Sequence, residues 1–282
     1  MPNRDKVGRQ EQYQSLSADL QELIAPRRVV TYRGDELAEI EDYVISEVPI
    51  TLELNGKEFV TLLCAPIMLT ELIVGFLFTE TLIKEYADIV SLQVDLEKQR
   101  VTVETVNKSS LAEKLYGKRT ITTGCGRGTI FYHVSDALRM TKNESQLTVE
   151  AEAIVAMMKA WQDQTSLFLL TGGTHAAALG TVTGEIIALA EDIGRHNAVD
   201  KVLGQALIAG WDLSDKLIMT TGRISSEMLI KAAKASLPVV ISRSAPTELA
   251  LALAQELGVT VVGFARGRRL NIYTMPQRIK AD

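Results

Sequence analysis

The chain has 282 residues, of which 46% are hydrophobic and 23% charged, with a formal net charge of −5. That balance describes an ordinary globular protein, long enough for one large domain or two smaller ones. The acidic charge argues against a general nucleic-acid binder, which needs a basic surface to displace phosphate counterions. No apolar run reaches the roughly 18 residues of a membrane span: the longest, Met68–Phe78, is interrupted by Thr70, Glu71 and Gly75. The first residues are polar and lack the apolar core of a signal peptide. With only two cysteines, Cys64 and Cys125, a disulfide framework is implausible and a reducing cytoplasm is the expected setting.

Residues 1–26 are charged and aperiodic and read as a mobile or loosely attached arm. From residue 27 to 147 the pattern predicts a smaller α+β domain of mostly antiparallel strands. TYRGDELAEIEDYVISEVPITLELNGKEFVTLLCA reads as strands with a hairpin turn at Asn55-Gly56. The stretch MLTELIVGFLFTETLI after Pro66 reads as a helix, and SLQVDLEKQRVTVETV as a second hairpin. Residues 148–282 alternate between helix and strand after the polar linker TKNESQ. AEAIVAMMKAWQ is helical, whereas TSLFLLTGGTH and EIIALAEDIG read as strands ending in polar loops. AVDKVLGQALIAG is a helix ended by Gly210. The apolar runs DKLIMTTGRIS, LPVVISRSAPT and VTVVGFARGRR, spaced by the helices SEMLIKAAKAS and TELALALAQELG, predict a mixed or largely parallel sheet covered on both faces.

Cys125 sits in TTGCGRG, between Gly124 and Gly126 and ahead of Arg127 and Gly128. Glycines leave the sulfur uncrowded, and a nearby arginine or helix N-terminus favours the thiolate, the nucleophilic form. The alternative is a structural cysteine, which is the reading for Cys64 inside FVTLLCAP. His196 lies in EDIGRHNAVDK between a strand and a helix, where α/β proteins place their sites. There Arg195, His196 and Asn197 can meet a ligand's phosphate or ring, oriented by Asp192 and Asp200; the bland alternative is a capped helix start. His175 follows a Gly-Gly turn, and either role is open to it; His133 reads as structural or exposed. No metal site is expected, because the histidines and cysteines never fall at a short ligand spacing.

TTGRISSE, ISRSAPTE and GFARGRR share one plan, an apolar run followed by Arg with Ser, Thr or Gly. In the first two a helix follows, with Ser225 or Ser226 and then Thr247 as candidate caps. Helix N-termini with arginine forks suit phosphate groups, so Arg223, Arg243, Arg266, Arg268 and Arg269 are candidate anion ligands.

Together GFLFTETLI, TTGCGRG, TGGTHAAAL, EDIGRHNAVDK, TTGRISSEM, ISRSAPT and GFARGRRLNIYT resemble, in order, the signature stretches of the formate dehydrogenase accessory sulfurtransferase family, FdhD, from about Arg28 to Arg278. The resemblance implies a cytoplasmic sulfur carrier that takes persulfide sulfur from a cysteine desulfurase. It passes that sulfur to the bis(guanine dinucleotide) form of the molybdenum cofactor (bis-molybdopterin guanine dinucleotide), a bound client, before the cofactor enters formate dehydrogenase. It further implies a homodimer and a C-terminal domain similar to the cytidine deaminase fold, an α/β/α sheet. The family's persulfide-bearing cysteine falls on Cys125, and its cofactor-contacting stretch on Phe264, Ala265, Arg266, Gly267, Arg268 and Arg269. Arg223, Arg243 and His196 are added from the residue reading above. Many members carry Cys-Gly-x-Cys where this chain has Cys125-Gly126-Arg127-Gly128, so a mechanism needing two thiols in that loop is excluded here. Two other readings remain: a cofactor-carrying chaperone without sulfur chemistry, and a hydrolase using Cys125 and His196 as nucleophile and base.

Overall fold

The computed structural model describes residues 6–106, 120–121 and 140–281; Cys125, Arg127 and His133 lie outside them. Within the described residues the chain is a mixed α/β fold built on two main sheets. Strands β1 (Ile24–Arg33) and β2 (Glu36–Ile45) form an antiparallel ribbon that turns at Gly34 and Asp35, both at positive φ. Residues 6–22, expected to belong to an arm, instead form helices α1 (Lys6–Ser15) and α2 (Ala18–Glu22) at the ribbon's base. Tyr13, Leu16 and Leu20 pack there on Leu23, Ile24 and Tyr43. Tyr13 stacks on Tyr43 at 4.9 Å. Arg9 donates to Asp42 and to the Leu170 carbonyl. A few well-placed apolar side chains in a polar stretch were enough to anchor it, a signal too sparse for periodicity to show.

The first main sheet contains β3 (Val48–Leu54), β4 (Lys57–Cys64), β5 (Ile89–Asp95), β6 (Arg100–Thr105) and β7 (Thr120–Ile121), in the order β5-β6-β3-β4-β7. The β3–β4 hairpin turns at Asn55-Gly56 with φ of 51° and 77°, as the Asn-Gly pair predicts. Two pairings, β3–β6 and β4–β7, are parallel, where mostly antiparallel strands were expected; β3–β4 and β5–β6 are antiparallel. The reason is connectivity. Helix α3 (Leu69–Thr79) carries the chain from β4 across the sheet, so strands distant in sequence come side by side. Its Leu72, Ile73 and Leu77 bury against Ile50, Leu52 and Leu62.

The second sheet contains β9 (His175–Thr181), β10 (Ile186–Asp192), β11 (Lys216–Thr220), β12 (Val239–Ser242), β13 (Thr260–Arg266) and β14 (Arg269–Ile272), in the order β10-β9-β11-β12-β13-β14. β9 is antiparallel to both neighbours, and β11, β12 and β13 are parallel, so β10 through β13 apart from β9 run in one direction. A short pair, β8 (Val149–Glu150) with β15 (Ile279–Lys280), joins the C-terminal end to the start of helix α4 (Ala151–Gln164). α4 covers one face through Ile154, Met157, Met158 and Trp161. Helices α6 (Arg195–Ala209), α7 (Ser226–Lys234) and α8 (Glu248–Leu257) cover the other. Ser225 and Thr247 cap α7 and α8 by accepting from Met228 and Ala250 N–H.

TSLFLL departs from the strand expected of it and forms helix α5 (Ser166–Thr171). The cause is Glu191, a buried carboxylate that accepts from Leu167 N–H at 3.0 Å, Phe168 N–H at 2.7 Å and Thr174 Oγ1 at 2.9 Å. It satisfies the free N–H groups of the first turn, which no residue nearby in sequence does. The strand expected there begins only at His175.

α3 and α6 bring the two sheets' layers together. A Cβ at Gly75 would stand 1.8 Å from the Asp200 carbonyl oxygen, and one at Gly204 1.9 Å from that of Glu71. Their backbones touch because both crossing positions lack a side chain.

Candidate functional site

Because β10, β11, β12 and β13 point the same way, their C-terminal ends share one edge of the sheet. The loops there are Asp192–His196, Thr221–Arg223, Ser242–Ser244 and the β13–β14 turn at Gly267 (φ 58°). His175 opens β9 opposite Asp192 and so stands on the same edge. In open α/β sheets ligands bind outside these strand ends.

The EDIGRHNAVDK block divides by burial. Asp192 and Lys201 form a fully buried ion pair at 2.7 Å. Asp192 also accepts from Ala65 N–H, Gly194 N–H and Asn197 Nδ2. Asn197 donates onward to the Leu63 carbonyl at 2.8 Å. Asp200 accepts from Lys231 at 2.6 Å and from Thr79 Oγ1 at 2.9 Å. Asn197, Asp192 and Asp200 therefore brace α6 against β4, α3 and α7, where the sequence reading set Asn197 against a ligand with Asp192 and Asp200 orienting the group. A buried charge needs such partners.

Arg195 and His196 are the members left at the edge. Arg195 lies over Gly222, where a Cβ would meet its Cδ at 2.7 Å. Arg195 Nε and His196 Nε2 are buried atoms without a hydrogen-bond partner among the described residues. Burial, and after it the Arg223 guanidinium, lower the Arg195 pKa. His196 Nε2 lies 3.2 Å from Glu227 Oε2, and this contact holds the Glu227 carboxyl below its ordinary pKa. His175 Nδ1 pairs with Thr221 Oγ1 at 3.1 Å, and Thr221 Oγ1 accepts from Ala176 N–H at 3.0 Å. The Thr221 hydroxyl also lies 3.5 Å from the Ala176 carbonyl as a donor, so either ring tautomer of a neutral His175 is accommodated. Burial, with Arg195 and His196 nearby, lowers the His175 pKa and favours this neutral ring.

The second cluster lies at the far end of the edge. Arg266 Nε donates to the Arg243 carbonyl at 2.8 Å. The Arg243 pKa is lowered by burial and by the Arg266 guanidinium. Phe264 is exposed at a positive φ of 52° and donates its N–H to the Ser244 carbonyl, while Ala265 is buried. Arg268 reaches back to Glu152 on α4 at 2.7 Å, and Arg269 pairs across the hairpin with Arg266. Arg243, Ala265, Arg266, Gly267 and Arg268 line a cavity of about 220 Å³ closed by Val155, Met158, Lys159 and Gln162 of α4. These four residues, Thr221 and Glu227 were missed from sequence. The α4 set recurs at helical spacing, but nothing local indicates that this face meets the hairpin.

The four arginines are neighbours in turn along the edge, Arg223 beside Arg195 and Arg266 beside Arg243, with β11 and β12, the strands that lead to Arg223 and Arg243, adjacent in the sheet. Cys64, by contrast, is fully buried at the end of β4, and burial, with Asp192 beside it, pushes its thiol up to about 12. Among the described residues no group of three or more His, Cys, Asp or Glu could hold a metal ion, and no helix is long and apolar enough to cross a membrane.

The FdhD/NarQ family model matches residues 45–280. The sulfur carrier protein FdhD of Bacillus subtilis (strain 168) is 43% identical over 256 residues, covering 91% of this chain and 97% of that protein. Its namesake in Listeria monocytogenes serovar 1/2a (strain ATCC BAA-679 / EGD-e) is 40% identical over 262 residues, covering 92% and 99%. The crystal structure of a candidate formate dehydrogenase accessory protein from Desulfotalea psychrophila superposes with a TM-score of 0.75. At 27% identity it covers 92% of this chain and 100% of that one. By sequence and by fold alike, the chain belongs to the FdhD/NarQ family.

Proposed function

We propose that this protein is a sulfur carrier in the maturation of formate dehydrogenase, with Cys125 as the sulfur-bearing residue. The Cys125 thiolate attacks the outer sulfur of a cysteine desulfurase persulfide and expels the desulfurase thiolate, becoming a persulfide itself. The client is the bis(guanine dinucleotide) form of the molybdenum cofactor, a substrate here, which receives the sulfur before it enters formate dehydrogenase. The protein acts in the cytoplasm as a homodimer. The names borne by its relatives support the carrier role and the dehydrogenase link.

The observation that carries the client assignment is the row of Arg195, Arg223, Arg243 and Arg266 along one strand-end edge of an acidic molecule. Side-chain carboxylates bond none of these four guanidiniums among the described residues, and phosphate oxygens match their fork geometry. His196, Arg268 and Arg269 extend the same edge.

Intact mass of the protein after incubation with a cysteine desulfurase and cysteine tests the sulfur step. Wild type should gain sulfur that a reductant removes, and Cys125→Ala should gain none while keeping its fold and its cofactor affinity. A wild type that gains nothing beside an active desulfurase would favour a cofactor-carrying chaperone. That second reading draws on the same arginines, which are binding groups rather than nucleophiles.

A further inference from the structure

The proposed function leaves His175 without a task. It opens β9 directly opposite Asp192 of β10, which lies three residues ahead of Arg195. On its other side stands Thr221, followed in the chain by Gly222, over which the Arg195 side chain is laid. The ring is half-buried, and among the described residues only Thr221 hydrogen-bonds it. Charged groups surround it from each neighbouring element. β10 supplies Asp192, whose charge is matched by Lys201 in a fully buried pair. The start of α6 supplies Arg195 and His196, the loop after β11 supplies Arg223 beside Arg195, and α7 supplies Glu227 against His196. Burial first, then Arg195 and His196, lower the His175 pKa, and Asp192 opposes them. Without an anion nearby, that balance favours a neutral ring.

Thr221 equips this ring to change its charge. A hydroxyl has one proton to donate and two lone pairs. Its oxygen accepts from Ala176 N–H at 3.0 Å, with His175 Nδ1 3.1 Å away and the Ala176 carbonyl at 3.5 Å. Toward a neutral ring with a bare Nδ1 the hydroxyl donates. Toward an imidazolium it accepts from Nδ1–H and turns its own proton to the carbonyl. Every bonding capacity of the hydroxyl is then used, so protonation strands no donor on this side of the ring. We propose that His175 is a further anion-binding residue, which takes a proton from solvent as a phosphate group settles on Arg195. That role rests on the proposed client, whose phosphates lie along the edge, and adds a residue and a proton to it. The anion offsets the Arg195 guanidinium that keeps the ring neutral, and it attracts the imidazolium directly. The edge thus presents a third cation beside Arg195 and Arg223 only when it is occupied. The free protein is spared the cost of another half-buried positive charge among its arginines.

Sulfate is the probe for the full chain, because it stays a dianion near neutral pH and adds no titration of its own. Calorimetry measures its affinity from pH 6 to pH 8.5. NMR of histidine-labelled protein follows ring protonation, with His175→Asn identifying one signal among the three histidines. Saturating sulfate should raise the His175 titration midpoint by about one pH unit. Wild-type affinity should rise as pH falls, by up to about tenfold, the factor that a one-unit shift permits. His175→Asn should lose most of that dependence. Arg195→Ala should raise the midpoint without sulfate, because a positive neighbour is gone. Thr221→Val should shrink the sulfate-induced shift, because Nδ1–H then lacks its acceptor. A midpoint that bound sulfate leaves in place, or a pH dependence that His175→Asn retains in full, overturns the assignment. Sulfate that does not bind at all overturns it together with the placing of the client's phosphates. Sulfur loading of Cys125 needs no anion at this edge, so the carrier role is judged separately.

Discussion

Asp192, Lys201, Asp200 and Lys231 show how differently one sequence block can spend its charges. Each is buried within an ion pair that ties α6 to its neighbours, whereas Arg195 and His196, a few residues away, face the edge. Lys234, in the last turn of α7, belongs to the same seam. It donates to the Thr79 carbonyl and to Thr81 Oγ1 at 3.0 Å. Burial lowers its pKa from 10.5 to about 7, reinforced by Lys231 and opposed by Glu80 and Asp200. The unfolded chain therefore holds this proton between about pH 7 and 10.5 while the folded chain releases it. The resulting penalty on folding is full below pH 7 and is relieved as pH rises through that window. Urea midpoints of wild type and Lys234→Met, compared from pH 6 to pH 10, should show wild type gaining relative to the variant as pH increases. A flat difference would mean that the folded protein keeps the proton.

At the scale of elements, the α3–α6 crossing depends on Gly75 and Gly204, and two effects compete when either becomes alanine. Helix propensity favours alanine by about 1 kcal/mol. Each new methyl, however, would have to enter space held by the Asp200 or Glu71 carbonyl oxygen, less than 2 Å away. Overpacking against backbone costs about 3 kcal/mol or more because the helices must separate. Gly75→Ala and Gly204→Ala should therefore each lower stability in chemical denaturation; a stabilised variant would refute the close crossing. α5 illustrates the reverse dependence, a helix whose first turn is completed by Glu191, 24 and 23 residues on from the two N–H groups it accepts. TSLFLL is apolar and short, and such a run has no periodicity to separate strand from helix.

At the scale of the whole molecule, a net charge of −5 coexists with a basic edge assembled from four strand ends. Local attraction for phosphate must act within an overall repulsive field, which makes it sensitive to screening. The Debye length shrinks from about 10 Å at 0.1 M salt to about 3 Å at 1 M. Pyrophosphate affinity measured by calorimetry should fall steadily across that range, and more steeply for wild type than for Arg243→Ala. An affinity indifferent to salt would mean that the phosphates do not meet these arginines.

Much of this arrangement is legible in the sequence by itself. The Asn55-Gly56 turn, the amphipathic helices with their Ser225 and Thr247 caps, and the buried character of Cys64 follow from local rules. So does the placing of arginines after successive β-rich runs, since propensity, capping and turn chemistry act over a few residues. Tertiary structure alone decided which charges of EDIGRHNAVDK are structural, that TSLFLL is a helix, and that α4 closes a cavity against the β13–β14 hairpin. Each of these depends on a partner far along the chain: Ala65 for Asp192, Lys231 for Asp200, Glu191 for α5, and the β13–β14 hairpin for the α4 face of the cavity. Burial and pairing are properties of where chain segments meet, and no window of neighbouring residues contains that information.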